Sequence, residues 1–142
     1  MNVNLEKALV TAYMTAVGYS TVTKLPVTEW ENLELQLPEN CQLWYSVNIA
    51  YAQPTVASLG NGGDDEVRGY LQIDINVPRG SGKGILIEKL AALRSYFTAG
   101  KRLPYDDAVA VVISTGSSPA REVDSWYRIS ASVFFYTHLT RP

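Results

Sequence analysis

The chain has one cysteine and one histidine in 142 residues. A lone Cys41 forms no internal disulfide, and one Cys with one His falls short of a structural zinc site. Charge is sparse too: Asp, Glu, Lys and Arg make up 18% of the residues, and the net charge is −2. With 46% apolar residues, this is not the composition of a disordered protein. The missing basic excess removes the electrostatic footprint of a nucleic-acid binder. No apolar run approaches the roughly 18 residues of a membrane span. The opening MNVNLEKALV has no basic segment ahead of an apolar stretch, so no secretory signal is expected.

Catalytic chemistry has little to stand on. His138, the single histidine, lies four residues from the end of the chain, and a dyad with Cys41 is conceivable. Cys41 reads more simply as a small apolar residue. The run Val77-Pro78-Arg79-Gly80-Ser81-Gly82-Lys83-Gly84 imitates a phosphate loop. It has Val77 where the first glycine belongs and Gly84 where Ser or Thr should follow the lysine, so it reads as a strand-to-helix turn. Asp64, Asp65 and Glu66 are consecutive, unlike the alternating oxygen ligands of a calcium loop. Lys83, Lys89, Arg94, Lys101 and Arg102, with Glu88 among them, read as a solvated face. The expectation is a protein with no catalytic residues, no cofactor and no metal.

What is abundant is aromatic: nine Tyr, three Trp and three Phe. Leu5, Ala8, Leu9, Ala12, Tyr13, Ala16 and Val17 recur at helical spacing, with Asn2 or Asn4 as N-cap and Gly18 as C-cap. A second helix is expected over residues 84–98, with Leu86, Leu90, Leu93 and Phe97 as its stripe and Ile87 and Ala91 alongside. Residues 44–53, 70–77 and 126–136 alternate with period two, which marks half-buried strands. Residues 108–113 are a short apolar run suited to a central strand. Thr21–Thr23 as a short strand and residues 30–37 as an edge strand or irregular segment complete the reading, with residues 54–66 as a long loop closing a hairpin. The fold class this predicts is α+β: one domain spanning residues 1–142, a two-layer sandwich of two helices on one face of a mainly antiparallel, twisted sheet of about four strands. The other face of that sheet then carries Tyr70, Gln72, Asp74, Asn76, Trp126, Arg128, Ser130, Ser132, Phe134 and Tyr136. Aromatic and small polar residues of this kind suit a partner-contacting surface.

The order and spacing of several short motifs resemble the tail terminator proteins of long-tailed bacteriophages. These are Pro54 with Leu59-Gly60, Gly69-Tyr70-Leu71-Gln72-Ile73-Asp74-Ile75, Val77-Pro78 with Gly80 and Gly82, the helix ending in Leu93, Phe97 and Gly100, and Trp126-Tyr127-Arg128-Ile129 leading to Phe135 and Tyr136. The resemblance spans roughly residues 44–137. It implies a small α+β domain without catalysis or cofactor, located in the virion at the head-proximal end of the tail after assembly in the host cytoplasm. It implies a ring, typically of six copies, that caps the completed tail tube, stops tube growth and presents the head-joining surface. Its partners would be further copies of itself, the tail tube protein and a head–tail connector or head completion protein, with no membrane and no sequence-specific nucleic acid. A head–tail connector or other tail-completion subunit is the alternative role. The residues expected at the subunit or tube contact are Tyr70, Gln72, Asp74, Trp126, Arg128, Phe134 and Tyr136 on the sheet. Asp64, Asp65, Glu66 and Arg68 are expected to add charge complementarity from the loop.

Overall fold

The computed structural model of the chain describes residues 3–53, 55–56, 59–60 and 63–140. The elements run α1 (Val3–Val17), β1 (Thr28–Glu29), β2 (Trp44–Tyr51), β3 (Thr55–Val56), β4 (Asp64–Pro78), α2 (Gly84–Tyr96), β5 (Arg102–Tyr105), β6 (Ala108–Ser117), β7 (Arg121–Val123) and β8 (Trp126–Thr140). All eight strands join one sheet in the order β1-β2-β4-β8-β6-β5, with β3 added to β4 and β7 added to β8. The β1–β2 pair is parallel and every other pair antiparallel.

This overturns the sandwich of about four strands: the architecture is a curled, mixed half-barrel of eight strands with two helices. The reason is visible in the partners of α1. Tyr13 Oη lies 2.7 Å from Thr28 Oγ1 on β1, and Tyr51 of β2 donates to Glu6 at 2.7 Å. The same helix reaches the opposite end of the sheet, where Lys7 stands over the Tyr105 ring of β5 and Asn4 donates to Asp107 at 2.8 Å. In a flat sheet, β1 and β5 would lie about 24 Å apart at about 4.8 Å per strand. A helix is only about 10–12 Å wide. The sheet therefore curls until both of its ends reach α1.

The core forms inside this curl. Leu5, Leu9 and Tyr13 of α1 and Leu86, Leu90 and Leu93 of α2 meet the odd-numbered residues Leu71, Ile73, Ile75 and Val77 of β4 and Ile129, Ala131, Val133 and Phe135 of β8. Each large apolar side chain removed from water here contributes about 1.5–3 kcal/mol. The helical stripes and the strand alternation are as the sequence predicts, with two exceptions on α2: Ile87 is 51% exposed and Ala91 is exposed. Gly18 follows α1 at φ 71°, in the left-handed region a C-cap favours. Asn4 lies inside α1 rather than capping it, and Asn2 and Pro54 lie outside the described residues.

Several expected loops and strands change places. Thr21–Thr23 form a turn closed by the Ser20–Leu25 bridge. The edge strand is Thr28–Glu29, and residues 34–43 are irregular. The segment 54–66 is not a free loop: β3 pairs with β4, whose first residues pair with the end of β8 across Asp64 and Thr140. Consecutive acids read as a solvated tip, and the pairing that makes them a strand is supplied from the far end of the chain.

Gly69 leaves room on β4 for the strands and rings that pack beside it. Tyr51 and Phe135, its neighbours on either side, bring their rings together edge-on, with centroids 6.1 Å apart. A methyl group at Gly69 would strike the Ala50 carbonyl oxygen and lie 3.1 Å from Phe135 Cζ. Gly69→Ala is expected to destabilise the fold by about 1–3 kcal/mol. A lower urea midpoint at unchanged m-value is the readout.

The buried phenols add a second expectation. Burial raises the Tyr13 pKa and pushes that of Tyr45 up to about 12. Burial, then the hydrogen bond to Glu6, raises Tyr51. In the unfolded chain these phenols ionise near about pH 10. Their contribution is full below that pH and falls as pH rises beyond it, because the unfolded state loses protons first. Alkaline titration followed at the phenolate absorbance should show ionisation of these three groups coinciding with loss of the folded circular-dichroism signal.

Candidate functional site

The even-numbered residues of β4 and β8, with Trp44, Ser46 and Asn48 of β2, form the face of the sheet that neither helix covers. The registers align them in rows: Trp44–Asn76–Arg128, Ser46–Asp74–Ser130, Asn48–Gln72–Ser132, Ala50–Tyr70–Phe134, then Arg68–Tyr136 and Glu66–His138. This brings together all the expected contact residues except Asp65, whose register partner is Leu139 and which alternation puts on the other face. Asp64, Glu66 and Arg68 sit on strand β4 rather than on a reaching loop.

The two ends of the face differ. At the Pro78 end the Trp44 and Trp126 rings meet edge-on, with centroids 5.7 Å apart, and the Arg128 guanidinium lies 5.9 Å from the Trp44 ring centroid. Beneath them Asn76 is fully buried. Arg128 Nε donates to Asn76 Oδ1 at 2.6 Å, and Asn76 Nδ2 donates to the Trp44 carbonyl at 3.3 Å. Arg128 Nη1 stands 3.8 Å from Asp74 Oδ2, and Gln72 Nε2 donates to Asp74 Oδ1 at 3.0 Å. Arg121 Nη2 donates to Ser130 Oγ at 3.1 Å. Arg128 and Asp74 thus supply the partners of a buried polar network, with Trp126 against the Trp44 ring beside it, a structural task the sequence reading did not assign to them; the buried Trp44 indole N–H has no hydrogen-bond partner among the described residues.

The other end is open. Phe134 is 40% exposed, and its ring lies 5.9 Å from that of Tyr70. Tyr136 and His138 lie 6.0 Å apart ring to ring. Glu66 accepts from Arg68 Nε at 2.9 Å and faces His138 Nε2 at 3.5 Å. The Arg68 hydrogen bond, with a further contribution from His138, holds the Glu66 carboxyl below the usual carboxylate range. His138 thus partners a carboxylate, while Cys41 Sγ bonds the Leu43 carbonyl; the two do not form a dyad.

Two clefts border the face, the first beside β1 and the Asp74 network and the second at the open end. One, of about 350 Å³, is bordered by Glu29, Glu31, Ser46, Asn48, Gln72 and Asp74. The other, of about 310 Å³, is bordered by Arg102, Val111, Tyr136 and His138 among others. Sequence reasoning left out Trp44, Ser46, Asn48 and His138. The signal for the first three was present, since Tyr45, Val47 and Ile49 alternate onto the core side and leave them opposite. Among the described residues no group of three or more His, Cys, Asp or Glu side chains is placed to hold a metal.

The sheet face is aromatic and small polar, hydrogen-bonded within itself at one end and exposed at the other, a composition that partner-contacting surfaces favour. The family model for the phage tail terminator protein matches residues 4–135, and the chain belongs to that family. It is therefore a structural protein of the virion with a role in tail completion, and not an enzyme. No curated protein sequence matches the chain. Among solved structures, one is 17% identical and covers 96% of this chain and 97% of its own length, with a TM-score of 0.68. A chain from the virion of a native gene transfer agent particle is 13% identical and covers 99% of this chain and 100% of its own, with a TM-score of 0.55. Both share the fold.

The division of the face is testable by paired substitutions. Arg128→Ala leaves Asn76 Oδ1 and Asp74 short of a donor beneath the tryptophans and is expected to cost about 1–3 kcal/mol. Phe134→Ser, at the exposed end, is expected to cost about 0.5–1.5 kcal/mol, through loss of its ring pair with Tyr70. Thermal and urea unfolding of both variants checks the contrast.

Proposed function

We propose that this protein ends tail growth. Copies of the chain close into a ring, six in number as is typical of terminators, on the head-proximal end of the completed tube. The ring stops further addition of tube subunits and offers the surface to which the head joins. The observation that carries this reading is the extent of the family match, which runs from α1 through both helices and the sheet to Phe135. The exposed end of the helix-free face supports it. Tyr70, Phe134 and Tyr136 supply apolar contact area, and Asp64, Glu66 and Arg68 supply charge along the same strand. A ring needs two different surfaces on each copy that meet head to tail and close on rotation. The helix-free face is assigned to the tube, whose end presents a repeated surface that a ring can match. Assembly takes place in the host cytoplasm, before heads and tails join.

Deletion of the gene in the source phage, with electron microscopy of the lysate, tests the role. Headless tails that are overlong and variable in length are the expected result. Tails of normal length lying beside finished heads would assign the chain to head–tail connection instead, and intact virions would remove both roles. Complementation with Phe134→Ser, which keeps the fold, is expected to restore length control only in part.

A further inference from the structure

The two lateral edges of the sheet are finished differently. The outer edge of β2 is closed: Tyr45 N donates to the Val27 carbonyl at 2.9 Å, β1 pairs next to it, and Glu31 extends its carboxylate to the Ile49 N–H. The outer edge of β6 is closed only as far as Val112, where β5 ends and the Lys101 carbonyl and Gly100 N–H take the Val112 backbone groups. The register with β8 shifts at Ile113; from Ser114 to Ser117 β6 pairs with β8 on one side, and no backbone hydrogen bond to a described residue occupies the other. An open edge of this kind is a template for another strand. Ile113 is 39% exposed beside it, and Phe134, the register partner of Ser114, is 40% exposed.

The chain also carries a strand pattern with nothing to pair with. Leu33, Leu35 and Leu37 alternate with Glu34 and Gln36. In the fold these residues are irregular, Leu33 is 64% and Leu37 37% exposed, and no backbone hydrogen bond ties residues 34–40 to another described residue. The segment and the open edge are equal in length, about 17 Å each when extended. They are also opposite in charge. Between Lys24 and Arg68 there is no Lys or Arg, while Glu31, Glu34 and Glu39 lie on and around the segment. Arg94 donates to Ser117 Oγ at 3.0 Å, Arg102 is the register partner of Val111, and Arg121 donates to Ser118 Oγ at 2.9 Å, so cations border the open edge.

We propose that residues 33–37 of one copy add as a strand to the Ile113–Ser117 edge of β6 in a second copy. This contact rests on the ring described above and supplies its head-to-tail joint. The added strand runs antiparallel to β6 with Leu35 opposite Ser114, so the leucines lie beside Ile113 on the helix-free side, and Glu34, opposite Thr115, turns toward Arg94 on the helix side. Backbone hydrogen bonds then give affinity, and the alternating side chains set register. The closed β2 edge and the open β6 edge make the contact heterologous, because the segment and the edge that receives it are different parts of the chain.

Disulfide trapping of the full-length chain tests this without requiring a stable ring. In a Cys41→Ser background, Leu35→Cys and Ser114→Cys single variants are mixed in equal amounts and oxidised with glutathione. Neighbouring strands place such side chains within disulfide reach. The mixed dimer is expected to form about tenfold faster than one from a control mixture of Thr11→Cys and Ser114→Cys, through the raised local concentration. Salt is expected to slow it. Glu34→Arg on the donor slows it further, and Arg94→Glu on the receiver restores the rate. Where thermal melts show a variant unfolded, Leu33→Cys with Gly116→Cys asks the same question one pair further along the antiparallel ladder. Mixed dimer at no more than the statistical half, equal in rate to the control, overturns the contact. That result beside overlong tails in the gene deletion would overturn this joint alone. Preferential pairing beside tails of normal length would overturn the terminator role and keep the joint.

Discussion

The position of α1 between the two ends of the sheet is the constraint on which the rest of the structure depends. Its partners on β1 and β2 are Tyr13–Thr28 and Glu6–Tyr51, and those at the β5 end are Lys7–Tyr105 and Asn4–Asp107. None of these contacts fixes the sheet alone: a neutral hydrogen bond such as Tyr13–Thr28 contributes about 0.5–1.5 kcal/mol net, and one to a carboxylate about 1.5–3 kcal/mol. Together they fix how far the sheet curls, because both ends must come within reach of one helix. The curl encloses the core and turns the helix-free face outward.

That surface divides its residues between two tasks. Asp74, Arg128 and Trp126 have the composition of an interface but are committed to the interior of their own chain, where Asn76 must find partners beneath two indole rings. Tyr70, Phe134 and Tyr136 have no comparable task and stay accessible. A rigid end beside an open aromatic end suits a subunit that must dock without reorganising, since little ordering entropy is then lost on contact.

The edges of the sheet add the lateral dimension. Long strands with free edges invite indiscriminate pairing, and proteins block them with charge, short strands or cover. On β2 that block is a two-residue strand followed by a glutamate carboxylate on a backbone amide. On β6 the cover stops at Val112. An edge closed on one flank and open on the other gives each copy a direction, which a ring requires and a symmetric dimer does not.

The sequence by itself determined both helices and their buried stripes, the core-facing residues of β2, β4 and β8, and the helix-free residues of β4 and β8 from Tyr70 to Asn76 and from Trp126 to Tyr136, because period 3.6 and period 2 are local consequences of backbone geometry. The motif order from Gly69 to Tyr136 also pointed to the family. Tertiary structure alone decided the rest. Asp64, Asp65 and Glu66 became strand because β8 returns to pair with them from more than seventy residues away. The two-, three- and four-residue strands β1, β3, β7 and β5 are too short for any periodicity to show. Arg128 and Trp126 became structural because Trp44 and Asn76, distant in sequence, lie beside them. The curl itself appears in no local pattern, since it is set by the distance between strands at opposite ends of the sheet and the one helix that both must reach.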